Sequence, residues 1–381
     1  MFLSRRHFFL GSLALPVLAE KKAPPPRPHV LMLLADNLPQ WVLGVYGNKE
    51  IRTPNIDRFA QVGVRFLGNF TSAPSAAPGR ASLLTGMAPG LPGATIDKTF
   101  AAAGYACNSA DATTAARYID AAAPGKPMFL TVNLTSPRPP YDNLAEKYRD
   151  LYAQTRFDTF NPEPAADNIK SGKELLADTI GSLRKYAAAV SALDDEVGAV
   201  LGLVAQRKLG DQTLVIFTST CGALLSHHGF WDAGEGSDPV NMYDESVATP
   251  LIWSWPMRLP PATQRPEVVS TYDLVPTVCD LLSLERPAGN LCGRSYALIA
   301  AGKPLPKKER WQSAVFAHLG NTWMARAERY KLVARDGGPG ELYDIQVDPA
   351  EKTNQFDNPQ FTTVKGMLTT ALADWRKKYS G

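Results

Sequence analysis

Reactive side chains stand close together at two places in the 381-residue sequence. Cys221 precedes His227 and His228 by one short loop. A thiol within reach of an imidazole is the arrangement of a Cys–His nucleophile, and the competing reading is a buried thiol beside two ordinary histidines. Asp36 and Asn37 follow the apolar run His29–Ala35. Polar residues just past the end of a buried strand lie where open α/β sheets bind ligands. Cys107, Cys221, Cys279 and Cys292 show no C-x-x-C spacing, so a zinc ribbon and a dithiol redox motif are excluded. An oxidising compartment would permit a disulfide, for which Cys279 and Cys292 are the plausible pair by spacing; the alternative is two buried thiols, and the spacing does not decide between them.

The elements that must position these residues are legible as periodicity. The spacing predicts buried strands over His29–Ala35, Met128–Leu134 and Thr213–Ser219, and a long amphipathic helix over Leu183–Arg207 before the last of them. Thr53–Asp57 opens a helix, and Arg80–Met87 reads as another. Alternating strands and helices predict an α/β fold: a large, mostly parallel sheet covered by helices on both faces. Loops are expected at 153–172, 232–241 and 254–267. From about Pro304 short strands at Trp311–His318, Trp323–Ala327, Tyr330–Arg335 and Glu341–Ile345 precede an amphipathic helix over Val364–Lys378. That texture predicts a small C-terminal α+β subdomain over 304–381, after a core over 29–303.

With 45% hydrophobic and 20% charged residues the chain has a globular composition, which excludes wholesale disorder and rod-like assemblies. Its formal net charge is +3, but residues 1–28 carry the surplus and the body from His29 is nearly neutral. A body without a basic excess has no electrostatic footprint for nucleic acid. Residues 1–19 hold Ser4-Arg5-Arg6 followed by a short apolar run ending at Ala19. The arrangement resembles a twin-arginine export signal. It predicts cleavage after Ala19, delivery to the periplasm or beyond and, because the run is shorter than the roughly 20 residues of a membrane span, no permanent anchor. An ordinary secretory leader is the alternative. Residues 20–28, with Pro24, Pro25, Pro26 and Pro28, form an extended tether.

A series of separated motifs resembles the sulfatase family of the alkaline-phosphatase superfamily, in order and across nearly the whole mature chain. They are Ala35-Asp36-Asn37, Tyr46-Gly47-Asn48, Thr53–Ala60, Ser75–Gly86, Ser226–Gly229, Tyr243–Ser246, Asp273–Thr277 and Glu341–Ile345 with Asp348-Pro349. The resemblance implies sulfate ester hydrolysis by a formylglycine made from cysteine or serine, aided by a calcium ion and basic residues. Each part falls on a definite position here. The nucleophile, four residues before Arg80 and two before Pro78, falls on Ala76, whose methyl group has no lone pair and excludes covalent catalysis at that position. Ser75 is the neighbouring hydroxyl, read either as a displaced nucleophile or as a helix N-cap.

The metal positions implied by the resemblance fall on Asp36, Asn37, Thr220 and Cys221, of which only Asp36 carries charge. Calcium takes six to eight oxygens with carboxylates among them, so no cofactor or at most weak calcium is expected. The lysine and histidine after the second helix fall in Ala112-Thr113-Thr114, the histidine after the next strand on Arg138, and the late lysine on Ala233. Arg80 and His228 persist. The resemblance thus implies a sulfatase fold with a degenerate site, and the first expectation is a pseudoenzyme in which Arg80, Arg138 and His228 bind a sulfated or otherwise anionic small molecule or glycan. Phe230, Trp231, Trp253 and Trp255 either stack on sugars or pack beneath the loops. The alternatives are a hydrolase using Cys221 with His228, or Ser75, and a structural or regulatory partner of an active sulfatase.

Overall fold

The computed structural model describes residues 27–379 apart from 123, 124, 135 and 257. The predicted leader and most of the proline-rich tether lie outside the described residues. Strand β1 (His29–Ala35) is buried along its whole length, because it pairs in parallel with two other strands at the centre of a sheet. The further strands are β2 (Val64–Phe70), β3 (Ala106–Asp111), β4 (Met128–Asn133), β5 (Thr213–Ser219), β6 (Leu251–Ser254) and β7 (Thr263–Ser270). They form one seven-stranded sheet in the order β3-β4-β1-β5-β6-β2-β7, with β6 antiparallel to both neighbours and every other pair parallel. Leu34 pairs with Asn133 and Ala35 with Ser219. The C-terminal ends of β1, β4 and β5 therefore meet at one edge of the layer.

Alternation along β1 sends Leu31, Leu33 and Ala35 to one face and Val30, Met32 and Leu34 to the other. The first face is covered by the helix Thr179–Gln206, whose Leu183, Val190, Leu193 and Val197 are fully buried. Each such side chain contributes roughly 1.5–3 kcal/mol of burial. The second face packs against Leu83 of helix α2 (Ala76–Thr85) and Val275 and Val278 of the helix Leu274–Leu282.

Periodicity did not predict β2, β3, β6 and β7, of which β3 and β7 are the edges of the sheet. Edge strand β3 (Ala-Cys-Asn-Ser-Ala-Asp) is half exposed and short of β-branched residues. β7, at the opposite edge, runs through part of the predicted 254–267 loop and contains Pro266. The register against β2 slips between Phe66 and Gly68, next to that proline, which cannot donate to a ladder and so is confined to edges and bulges.

Strands β8 (Ala314–Leu319), β9 (Thr322–Ala327), β10 (Tyr330–Arg335) and β11 (Glu341–Asp344) form a second, antiparallel sheet in the order β11-β10-β9-β8. The C-terminal helix Thr362–Tyr379 lays Leu368, Leu372 and Trp375 over Trp323, Leu332 and Leu342. The predicted small α+β unit is thus present. It is joined to the large sheet through a shared cluster in which Val315, Met324 and Val333 meet Phe70 and Val247. Cys279 and Cys292 are both free thiols, the second of the two alternatives that their spacing left open. Cys279 lies in the core beneath the large sheet, while the Cys292 thiol points to the Gly86 carbonyl at 3.4 Å.

Helix α1 (Pro54–Gln61) shows how strongly the layers depend on one another. Thr53 makes no capping bond with its side chain; the helix start is instead satisfied by Asp194 of the long helix. The Asp194 carboxylate is buried and accepts the backbone N–H groups of Asn55 (3.0 Å) and Ile56 (2.8 Å) and the Asn55 amide (2.9 Å). A negative charge at a helix N-terminus is favourable, and the donors it serves have no other partner there. Asp194→Ala is expected to lower unfolding stability by about 1.5–3 kcal/mol, read as a reduced denaturation midpoint, with Asp194→Asn retaining part of the loss.

Candidate functional site

Asp36 follows the last residue of β1, and Asn37 turns the chain with φ of 54°, a left-handed conformation that asparagine tolerates. The turn is held by the Thr220 N–H on the Ala35 carbonyl (3.0 Å), the Leu38 N–H on the Cys221 carbonyl (3.1 Å) and the Tyr186 hydroxyl on the Asn37 carbonyl (3.0 Å). Thr220, fully buried just past β5, donates its hydroxyl to Asp36 Oδ1 at 2.6 Å. Helix α2 comes down onto the same edge because Gly79 has no Cβ: one added there would lie 2.4 Å from the Thr220 carbonyl oxygen. That close approach carries Arg80 into the site. Its Nη2 donates to Asp36 Oδ1 (3.1 Å) and Oδ2 (3.3 Å), and its Nη1 to Asn133 Oδ1 (2.6 Å). Arg138 Nη1 stands 3.7 Å from Asp36 Oδ2. Asn133 was not singled out from the sequence. Its signal is its place at the end of β4, opposite Leu34.

The structure therefore brings Asp36, Asn37, Thr220, Arg80 and Arg138 together around one carboxylate. These residues do not fit a calcium ion. Both oxygens of Asp36 face guanidinium groups and one also takes the Thr220 hydroxyl, so the only carboxylate of the set is already neutralised. Among the described residues no group of three or more His, Cys, Asp or Glu side chains could hold a metal ion.

Ala76 is the first residue of α2 and is partly exposed. Ser75 occupies the N-cap position, but its hydroxyl makes no capping bond; it donates to Glu235 Oε2 at 2.6 Å. The predicted capping role is thus replaced by a hydroxyl–carboxylate contact. No sequence pattern announced Glu235, because the contact joins residues 160 positions apart.

Of the two readings of Cys221, the buried thiol holds and the Cys–His pair does not form. Cys221 is completely buried, and burial pushes its thiol up to about 12, outweighing the N–H that Asn37 directs at it. A thiol so raised is not a nucleophile at neutral pH. Both nitrogens of His227 are engaged, Nδ1 with Glu245 Oε1 (3.2 Å) and Nε2 with the Phe160 carbonyl (2.7 Å), and its ring stacks on Trp41. His228 faces elsewhere: it stacks on Tyr243 with centroids 3.6 Å apart and lines a cavity against the C-terminal subdomain. Burial, only partly opposed by Glu245, lowers its pKa to about 4, so it offers no positive charge to an anion at neutral pH. It is not part of the Asp36 cluster's basic lining. Phe230, Trp231, Trp253 and Trp255 are all buried, which agrees with the packing alternative and not with sugar stacking.

Two measurements check this arrangement. Alkylation of the native protein at pH 8 should leave Cys221 unmodified while the half-exposed Cys107 reacts, as read by peptide mass mapping. His228, at φ of 54°, accepts asparagine without backbone strain. A histidine whose folded pKa lies below its unfolded value of 6.5 stabilises the fold above about 6.5 and loses that contribution as pH falls towards 4. The melting temperature of His228→Asn should therefore fall less than that of the unsubstituted protein between pH 6.5 and pH 4.

The sulfatase family model matches residues 28–99 and 103–284, and the model for the C-terminal part of N-sulphoglucosamine sulphohydrolase matches 227–378. The chain is 28% identical to the choline-sulfatase of Rhizobium meliloti over 269 residues, covering 66% of this chain and 50% of that protein. It is 22% identical to an ulvan-active sulfatase of Formosa agariphila, covering 93% of this chain and 82% of that protein. Among solved structures, that of BT4656 in complex with D-glucosamine-2-N,6-O-disulfate superposes with a TM-score of 0.80 at 19% identity over 93% of this chain and 98% of that one, a likeness of fold. The first family model alone accounts for both the Asp36 edge and the α2 segment with Arg80, and on that match the chain belongs to the sulfatase family.

Proposed function

We propose that this protein is an exported sulfatase-family member that does not hydrolyse sulfate esters and instead binds a sulfated, carboxylated or other anionic ligand at the Asp36 edge. The observation that carries the proposal is Ala76 at the head of α2, beside an Asp36 whose carboxylate is spent on Arg80, Arg138 and Thr220. Without a lone pair at position 76 there is no covalent intermediate. With Asp36 neutralised by guanidinium, a cation that would polarise the leaving oxygen has no anchor.

What remains is suited to holding an anion. Arg80 is bonded to Asp36 and Asn133, whereas the Arg138 side chain is 54% exposed and only loosely associated with Asp36, so its fork is open to a sulfate or carboxylate. Glu235, bonded to Ser75, places a carboxylate beside the start of α2, so Arg138 rather than the helix end receives the anion. Export is supported by the twin-arginine leader alone. No helix among the described residues is long and apolar enough to cross a membrane. The second reading, hydrolysis by a different nucleophile, is favoured by one observation, the 2.6 Å contact of Ser75 with Glu235, which could orient the hydroxyl.

Purified protein is expected to turn over no aryl sulfate, aryl phosphate or phosphonate, with or without calcium, and calcium should not raise its melting temperature. Turnover that survives repurification and disappears in Ser75→Ala would establish the second reading instead. Calorimetry with sulfated saccharides is expected to show weak binding that is screened by salt and abolished in Arg138→Ala. Absence of binding to every sulfated saccharide tested removes the anion-binding half of the proposal.

A further inference from the structure

Between the short helix Ala297–Ala300 and β8 the chain crosses from the core to the C-terminal subdomain along residues 303–310, Lys-Pro-Leu-Pro-Lys-Lys-Glu-Arg. This strap is tied down at three points. Gly302 lies so close to Arg265 of β7 that a Cβ there would meet its Nη2 at 2.9 Å, Leu305 packs against the apolar cluster on the second face of the sheet, and the Trp311 indole donates to the Val268 carbonyl at 2.8 Å. The strap therefore runs beside the edge strand β7, four strands along from β1, and shares no element with the Asp36 cluster.

Lys303, Lys307, Lys308 and Arg310 are all exposed, and among the described residues no carboxylate pairs with any of them. The one acid in the strap, Glu309, is taken by Arg294 Nη2 at 3.1 Å. Arg294 also donates to the Arg310 carbonyl, and its guanidinium lies 5.2 Å from the Trp311 ring centroid. Arg294 thus occupies the strap's carboxylate and holds its end in place, which leaves four cations unneutralised on a body whose net charge is close to zero. Lysines beside an edge strand deter pairing with another sheet, but charge of either sign does that. An excess of a single sign on a tethered strap selects an anionic partner.

The form of the patch narrows the partner. Three of its four cations are lysines, compact point charges without the planar fork that grips a single carboxylate or phosphate, so the match is to many anionic groups spread over a surface. Leu298, 37% exposed, is one of six large apolar side chains exposed among the described residues, and its carbonyl accepts the Lys303 N–H at 2.8 Å. An apolar side chain beside lysines suits the boundary between headgroups and acyl chains, where lysine stems lie along apolar surface while their ammonium groups reach the phosphates. We propose that the 303–310 strap, with Leu298, docks this protein on a bilayer that carries anionic phospholipid headgroups. The contact is peripheral and reversible, each cation near such a surface giving about a fivefold gain in partitioning. The inference rests neither on anion binding at Arg138 nor on the alanine at position 76, and it can fail separately from both.

The test is co-sedimentation of the purified full-length protein with vesicles of phosphatidylcholine alone and of phosphatidylcholine mixed with phosphatidylglycerol, at low and at physiological salt. The quantity read is the extra binding that phosphatidylglycerol brings, which sets aside any insertion by the apolar run that ends at Ala19. That increment is expected to weaken with salt, to fall about 25-fold in the double variant Lys307→Ala, Lys308→Ala and about threefold in Leu298→Ser, and to stay unchanged in Arg138→Ala. Thermal melting of each variant confirms that it is folded. Dextran sulfate serves as a soluble polyanion. Its capture by the strap, together with vesicle binding that ignores Leu298→Ser, assigns the patch to a polyanionic chain and overturns the proposal. The absence of any phosphatidylglycerol-dependent binding, or binding that survives the double lysine substitution, overturns it as well.

Discussion

The site is organised by one carboxylate that has no freedom left. Asp36 leaves the central strand at the point where β4, β5 and α2 converge, and it receives Thr220 from one side and Arg80 from another, with Arg138 beside it. Arg80 in turn reaches Asn133, and Asn133 reaches Ser109 and the Ala110 carbonyl at the edge strand. A chain of hydrogen bonds, charge-assisted at Asp36 and Arg80, thus ties β1, β5, α2, β4 and β3 into one edge. The arrangement is self-neutralising. A guanidinium meets the carboxylate that a metal would otherwise require.

Ala76 stands at the head of α2 beside this self-neutralised edge. At the same edge Cys221 is a buried, protonated thiol. The supporting scaffold is unaffected, because its stability comes from burial on the two faces of the large sheet and from cross-layer contacts such as Asp194 on the start of α1. Packing and chemistry are carried by different side chains, so one can lapse while the other is kept.

The C-terminal subdomain is held by buried charge as well as by apolar packing. Lys331 is fully buried and bonds to Asp244 at 2.9 Å, to the Met242 carbonyl at 2.7 Å and to Glu351, while Arg326 reaches Asp244 at 2.8 Å. The two cations hold the Asp244 carboxyl well below its ordinary range despite its burial. Such a network is costly to desolvate and tolerates only one geometry, which fixes how the small sheet sits on the large one. A cavity lined by His228, Tyr243, Arg335 and Tyr343 lies within that interface.

By itself the sequence determined the buried strands β1, β4 and β5, the long helix and the small C-terminal sheet, because apolar periodicity depends only on neighbours along the chain. It also placed alanine two residues before Pro78 and four before Arg80. The edge strands β3 and β7 were less legible, as pairing on one side demands less apolar character, and Pro266 broke the pattern. Only the tertiary structure decided the side-chain partnerships. It gave Asp36 to arginine, Ser75 to Glu235 and His228 to Tyr243, and it withheld both histidines from Cys221. Those outcomes join residues far apart in the chain, and which partner a polar side chain finds depends on the closest burial that the packed layers permit, a quantity no local spacing encodes.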